Sequence, residues 1–270
     1  MITASIVTFN TSIEDVDNIL DSFGYIKCDY KLFIIDNSPT RRLEPYFDSN
    51  PRFRYIFNPD NPGFGASHNL AFDEARKIRS EFHFVINPDA FFKEDVFMPM
   101  VEFLKENQNV GMMMPQILNL DGSIQSLPKL LPSPLDVFMR KVKWPKIYYK
   151  KFIDRYELRS VNPEMIYEAP ILSGCFTLFR MSAVDEIGGY DDRFFMYFED
   201  WDLSRRMNKK YKTIYNPKVK VFHGYESGAN KSGKLFKIFI KSAILFFNKW
   251  GWFWDKERAR INRKTLSQFK

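Results

Sequence analysis

Short apolar runs that close on a carboxylate, separated by amphipathic stretches, constrain this chain more than any other feature of its sequence. Residues 5–8 and 32–35 read as buried strands, the second running into Asp36. Residues 55–57 make a short third strand, and 82–86 a fourth that ends at Asn87-Pro88-Asp89. Between the first two, Ser12 offers an N-cap with Asp15 three residues on. Ile13, Val16, Ile19, Leu20 and Phe23 then recur at helical spacing. Residues 66–78 supply another helix. This alternation predicts an α/β fold, a mostly parallel, doubly wound sheet with helices on both faces. Such sheets bind ligands beyond the carboxyl ends of their strands, where Asp36 and Asp89 stand.

After residues 110–114 the pattern changes. Asp121-Gly122 reads as a hairpin turn between 117–120 and 124–127. Residues 128–168, rich in Pro, Lys and Tyr, show no clean period and read as a long excursion with helical pieces over the active face, a candidate lid. Order resumes with a strand over 171–179, interrupted by Gly174. A helix from about 199 to 207 and short strands near 213–215 and 219–222 complete the body.

With 270 residues and 45% hydrophobic content, the chain can bury one substantial core. No window approaches the roughly 20 apolar residues of a membrane span, and the N-terminus lacks the basic segment of a signal peptide. Cys28 and Cys175 alone allow neither a disulfide framework nor a zinc cluster, and fit a reducing cytoplasm. The net charge of +7 hides an asymmetry: residues 1–125 carry −7 and residues 126–270 carry +14. That is either a basic face for nucleic acid, anionic lipid or a phosphate-bearing substrate, or a solvated tail.

Four segments can carry chemistry. Gly63 and Gly65 sit in a turn that runs into a helix, where positive φ and the helix N-terminus suit an anion, although a plain loop-to-helix junction looks similar. Asp89, directly after a buried strand and a rigid proline, can hold a hard cation against a diphosphate or simply form an Asx turn. Residues 194–202 deliver Glu199 and Asp200 to a helix start among Phe194, Phe195, Tyr197, Phe198 and Trp201. There the acids serve the helix dipole, or the apolar walls tune a carboxylate for proton abstraction. Asp202 and Arg206, four residues apart, read as a structural pair. His223 closes a strand, while His68 and His83 read as structural.

Taken in order, Ser5-Ile-Val-Thr-Phe-Asn10, Ile34-Ile-Asp-Asn-Ser38, Asn61-Pro-Gly-Phe-Gly-Ala-Ser-His-Asn69, Asn87-Pro-Asp89, Gly188-Gly-Tyr-Asp191, residues 194–203 and His223 resemble the family 2 glycosyltransferases, in particular the bacterial rhamnosyltransferase-like branch. The resemblance covers roughly residues 3–227. It implies a Rossmann-like GT-A fold and an inverting transfer from a nucleoside-diphosphate sugar, dTDP- or UDP-linked, to a glycan or polyprenyl-diphosphate-linked acceptor in bacterial surface polysaccharide synthesis. By position, Asp36 would contact the nucleoside, Thr8 and Asn10 would line the base pocket, and Gly63 and Asn69 would border the nucleotide sugar. Asp89 matches the metal-binding aspartate, with Asn-Pro-Asp in place of the usual Asp-X-Asp, and His223 a second ligand for Mn²⁺ or Mg²⁺. Asp200 matches the general base, with Glu199 as its acceptor-orienting neighbour.

The expected organisation is one domain over 1–227, with a nucleotide-binding half to about 115 and an acceptor-binding half from about 116. A basic amphipathic helical extension follows over 228–270. In it, Lys234, Lys237 and Lys241 share a stripe, and Trp250, Trp252 and Trp254 follow a broad apolar face. That combination suits an anionic membrane surface on the cytoplasmic side of the plasma membrane, or packing on the domain or on a second copy in a homodimer. No recognition motif points to nucleic acid. A sugar-nucleotide pyrophosphorylase is the rival enzyme, but residues 5–11 lack its glycine-rich, basic nucleotide loop. A non-catalytic carbohydrate-binding protein of the same fold is the other alternative.

Overall fold

The computed structural model describes residues 1–224 and 232–270. The expected boundary at 227/228 and the first residues of the extension lie outside them. Strand β1 (Ile2–Thr8) leads through α1 (Ile13–Gly24) to β2 (Tyr30–Asp36), then through the single turn α2 (Glu44–Phe47) to β3 (Phe53–Phe57). Helix α3 (Phe64–Lys77) returns the chain to β4 (Phe82–Ile86). Ser12 caps α1, accepting from the backbone N–H of Asp15 at 3.1 Å. These four strands pair in parallel in the order β3-β2-β1-β4, and β1, β2 and β4 are almost wholly buried. Helices cover both faces, α3 packing Phe72 on His83 and the later helix Phe97–Glu106 packing Phe97 on Phe84, so only the strand ends stay open, which fixes where a ligand can reach the sheet.

Beyond β4 the sheet becomes mixed. β5 (Ala90–Phe91), α4 (Phe97–Glu106) and β6 (Val110–Leu118) precede a long connection containing α5 (Pro134–Val142) and α6 (Lys146–Tyr156). β7 (Tyr167–Glu168), β8 (Phe176–Arg180), α7 (Met181–Ile187), α8 (Glu199–Met207) and β9 (Lys212–His223) follow. β8 enters antiparallel between β4 and β6, and β9 lies parallel to β6 with β5 antiparallel at its far side.

Several boundaries differ from the sequence reading. The two short strands around 213–222 are one strand, whose register against β6 shifts between Pro115 and Gln116 where Pro217 cannot donate to a ladder. The expected hairpin reduces to a turn with one bridge, Leu118 to Ile124. The expected strand over 171–179 starts only at Phe176, because the N–H of Gly174 is directed elsewhere, to Asp200. His68 and His83 are buried and bonded to Ser5 Oγ, each at 2.7 Å, as structural residues.

The C-terminal helices pack on the body. α9 (Gly233–Trp250) buries Phe239, Ala243, Phe246 and Phe247 in a cluster with Phe194, Phe198 and Trp201. α10 (Lys256–Ser267) returns over the molecule, where Asn262 brackets the backbone of Leu131 and Gln268 that of Glu168. A buried ion pair, Arg205 to Asp255 at 2.7 Å, ties α8 to the start of α10. Trp250 turns inward as well, donating to Asp202 at 2.8 Å beneath the Arg205 guanidinium. Trp250 thus takes the second of the two roles open to this segment, packing on the domain. No helix among the described residues is long and apolar enough to cross a membrane.

Candidate active site

Three strand ends and one helix start converge at one edge of the sheet. At the end of β2, Asp36 is fully buried, and its carboxylate accepts from Thr8 Oγ1 at 2.9 Å, from the Ser38 N–H at 3.0 Å and from the Tyr55 hydroxyl. Burial, reinforced by Asp36, pushes the Tyr55 phenol well above its usual range. Thr8 is thus the partner of Asp36, and Asn10 follows it with φ 52°, its N–H held by Ser38 Oγ at 2.8 Å. Beside them Asn37, which the sequence reading did not single out, bonds Ser67 and Asn58 and so fixes the loop after β3.

Gly63 and Asn69 make their contacts with the segment leading to α8. Gly63 has φ 105°, and a Cβ there would stand 2.2 Å from the Phe195 carbonyl oxygen. The next N–H, Phe64, donates to that same oxygen at 2.9 Å. Asn69 accepts from Tyr190 N–H at 2.8 Å and donates to Tyr190 O at 2.9 Å. The glycine turn therefore works by close backbone approach, clamping residues 190–195 in place.

Asp89 and His223 meet across the β5–β9 pairing, with Nε2 of His223 3.2 Å from Asp89 Oδ1. Gln125, unremarked in the sequence, orients the ring. Its amide nitrogen donates to the His223 carbonyl at 2.8 Å, which leaves its oxygen to accept from Nδ1 at 3.2 Å. With the proton on Nδ1, Nε2 accepts from the Asn87 side-chain amide at 3.2 Å, and that lone pair is the one a metal would take in its place. One carboxylate and one imidazole, with no third acidic, His or Cys ligand among the described residues, suit an ion that keeps water and takes its remaining oxygens from a diphosphate. The donor set fits Mn²⁺ or Mg²⁺.

The base candidate lies a short step away. The N–H of Asn87 donates to Cys175 O at 2.8 Å, and the neighbouring Gly174 N–H donates to Asp200 Oδ2 at 3.2 Å. The buried Cys175 thiol, pushed up to about 12 by burial, feels both Asp89 and Asp200. The chain enters α8 through Tyr197 and Phe198, both at positive φ (69° and 68°), an arrangement bulky residues rarely adopt. Packing of Phe198 among Trp201, Phe239 and Phe246 holds it there. Such stored strain belongs to functional sites.

Glu199 and Asp200 open a cleft of about 670 Å³ between α8, α9 and the 124–159 segment. Burial first, then Asp200, pushes Glu199 well above the carboxylate range, and its Oε2 has no hydrogen-bond partner among the described residues. Asp200 is also raised by burial, but backbone N–H groups of Gly174 and Trp201 and the Lys129 ammonium oppose the rise. The pair is therefore split: Glu199 keeps its proton more readily, and Asp200 is the better base. Asp202 pairs with Arg206 at 2.8 Å, a structural link. Lys129, Arg140, Glu157 and Arg159 also line the cleft. They fall in the aperiodic excursion, where no pattern marked them.

A parallel β3-β2-β1-β4 half joined to a mixed half, with acids gathered at the shared edge, defines a GT-A-type fold. The structure resembles GalNAc-T7 with UDP, GalNAc and Mn²⁺ (TM-score 0.64, 14% identity, 90% of this chain and 47% of that one). It also resembles S. aureus TarS (TM-score 0.59, 13% identity, 99% and 42%). The chain belongs to glycosyl transferase family 2, whose model matches residues 3–188. Among curated relatives, N-acetylglucosaminyl-diphospho-decaprenol L-rhamnosyltransferase of Mycobacterium tuberculosis is 27% identical over 199 residues, 70% of this chain and 62% of that protein. Rhamnosyltransferase WbbL of Escherichia coli K12 is 24% identical over 227 residues, 80% and 81%. The chain thus spans under two thirds of the mycobacterial relative's length. The family match ends before α8, so the reading of Glu199 and Asp200 stands on their geometry.

Proposed function

We propose that this chain transfers a sugar, rhamnose or a hexose, with inversion, from a dTDP- or UDP-linked donor to a hydroxyl of a polyprenyl-diphosphate-linked glycan in bacterial surface polysaccharide synthesis. The observation that carries it is the short backbone link, Asn87 N–H to Cys175 O and Gly174 N–H to Asp200, that ties the Asp89–His223 pair to the acid lining the cleft. Asp200 takes the proton of the acceptor hydroxyl as its oxygen bonds the anomeric carbon and the bond to the diphosphate breaks. Asp89 and His223 would hold the divalent ion, whose chemistry is to stabilise charge on the departing diphosphate. Asp36, Thr8 and Asn10 border the nucleoside side. The names of the two rhamnosyltransferase relatives favour rhamnose as the sugar, and that of the mycobacterial one favours a diphospho-polyprenol acceptor.

Attachment to the cytoplasmic face of the membrane belongs to the same reading. α9 turns Phe236, Ile240 and Ile244 outward beside exposed Lys237 and Lys241, and Phe253 and Trp254 are 75% and 95% exposed just beyond it. Co-sedimentation with anionic vesicles should fall when Phe236 and Ile240 are both changed to Ser; unchanged binding would remove α9 from that role. The transfer itself is tested by incubating the chain with dTDP-rhamnose or UDP-hexoses, Mn²⁺ and a short-chain prenyl-diphospho-N-acetylglucosamine. A product one sugar heavier supports the reading. The absence of both transfer and donor hydrolysis across the whole panel would refute it.

A further inference from the structure

We infer that Arg140 and Arg159, fixed by the buried carboxylate of Glu157, form the subsite for the acceptor's diphosphate, and that the outward face of α5 and the start of α6 carries its lipid chain. The inference rests on the sugar-transfer reading and adds to it the residues that would recognise the acceptor. Glu157 has only 8% of its side chain exposed and accepts from Arg159 Nε at 3.0 Å, with Arg140 Nε at 3.4 Å. One carboxylate between two guanidinium groups leaves the trio positive and holds both planar forks, still 30% and 45% exposed, in the wall of the cleft. Lys129 adds a buried cation on the same wall, its ammonium given to the carbonyls of Ser126 and Leu127. Lys141 and Lys143 line the cleft from α5 and its end. The acids facing these cations are Asp200 and the protonation-prone Glu199. The cleft is therefore net basic next to the candidate base, which is where a sugar diphosphate would place its anionic group.

The second observation is on the opposite face of the same helix. α5 buries no residue. While Val137, Arg140 and Lys141 line the cleft, Leu135, Phe138 and Val142 are 65%, 59% and 44% exposed on the other side. Trp144 and Ile147 extend this apolar surface at 70% and 84% exposure. Isolated apolar residues on a surface need no explanation, but Leu135, Phe138 and Val142 recur at helical spacing and so share one exposed face of α5. An anionic cleft ligand with a long apolar chain satisfies both faces of α5 at once, and a free nucleotide or a soluble glycan satisfies neither.

The test is direct binding to the full chain, measured by calorimetry with farnesyl diphosphate, farnesol and inorganic pyrophosphate, with dTDP or UDP as the donor-side control. Farnesyl diphosphate should bind more tightly than farnesol or pyrophosphate, and saturating nucleotide should not displace it. Arg140→Gln and Arg159→Gln should each weaken it about tenfold or more and leave nucleotide affinity unchanged. Phe138→Ser should weaken farnesyl diphosphate but not pyrophosphate. Arg140→Lys and Arg159→Lys, which keep the charge opposite Glu157, give the same comparison if a glutamine variant does not fold, and should lose part of the affinity through the missing fork. Wild-type affinity in the arginine variants, displacement by nucleotide, or no binding at all would overturn the subsite. The sugar-transfer reading would stand or fall separately, on nucleotide-sugar turnover in the same preparations.

Discussion

Asp200 and Glu199 are adjacent acids on one helical turn, yet their surroundings set them different tasks. Burial raises both, while Lys129 and two backbone N–H groups act on Asp200 alone to favour its ionised form. A base works only when deprotonated, so kcat/KM should rise with pH along an acid limb above the ordinary carboxylate value of about 4. Removing the opposing cation makes ionisation harder. Lys129→Met should therefore move that limb to higher pH; a limb that stays put would uncouple Lys129 from the base. Lys129 is itself pulled down to about 8 by burial, so the wild type should lose this support as pH rises through that value. On the other side of Cys175, Asp89→Ala and His223→Ala should each abolish most of the Mn²⁺ enhancement of dTDP or UDP binding. Calorimetry with Mn²⁺ and then EDTA checks it, and a variant that keeps the full enhancement would not be a ligand mutant.

At the scale of elements, the structure depends on one turn holding another. Gly63, at φ 105° and in contact with the Phe195 carbonyl, clamps the segment that delivers α8. Gly63→Ala combines unfavourable φ with a backbone clash, a cost of about 1–3 kcal/mol or more. It should lower Tm by several degrees and reduce turnover, because α8 loses its seat. An unchanged melting curve with normal activity would contradict the clamp. The ends of β2 and β4 were legible because these buried strands are short apolar runs closed by Asp36 and by Asn87. The α8 start was legible because acids follow residues 194–198, aromatic at every position but Met196. α4 was hidden by Pro99, tolerated in a helix's first turn but a breaker elsewhere. α5 was hidden for a different reason. Its signals, a Ser133–Asp136 capping box and Leu135, Phe138 and Val142 at helical spacing, are brief and stand in a stretch crowded with Pro, Lys and Tyr, so they mark no single helix there. Its arginine therefore went unnoticed, as did Arg159 beyond α6.

At the scale of the whole molecule, the charge asymmetry becomes spatial. The acidic first half forms the parallel strands and the edge proposed to face the nucleotide, and the basic second half supplies the cleft wall and the helices that roof it. The Arg205–Asp255 pair and the α9 aromatic cluster bind that roof to α8, so the C-terminal segment is part of the site's architecture. What composition could not reveal was direction: +14 over residues 126–270 does not say which cations line a cleft and which face outward. On the proposed reading, this cleft performs base-assisted sugar transfer with Asp200 as the base. Comparing turnover and donor affinity in wild type and Asp200→Asn, which keeps the side chain's size and removes its basicity, tests it most directly. The account predicts a loss of about 10²–10⁴-fold in turnover with donor affinity within a few-fold of wild type. Near-normal turnover in Asp200→Asn would contradict it.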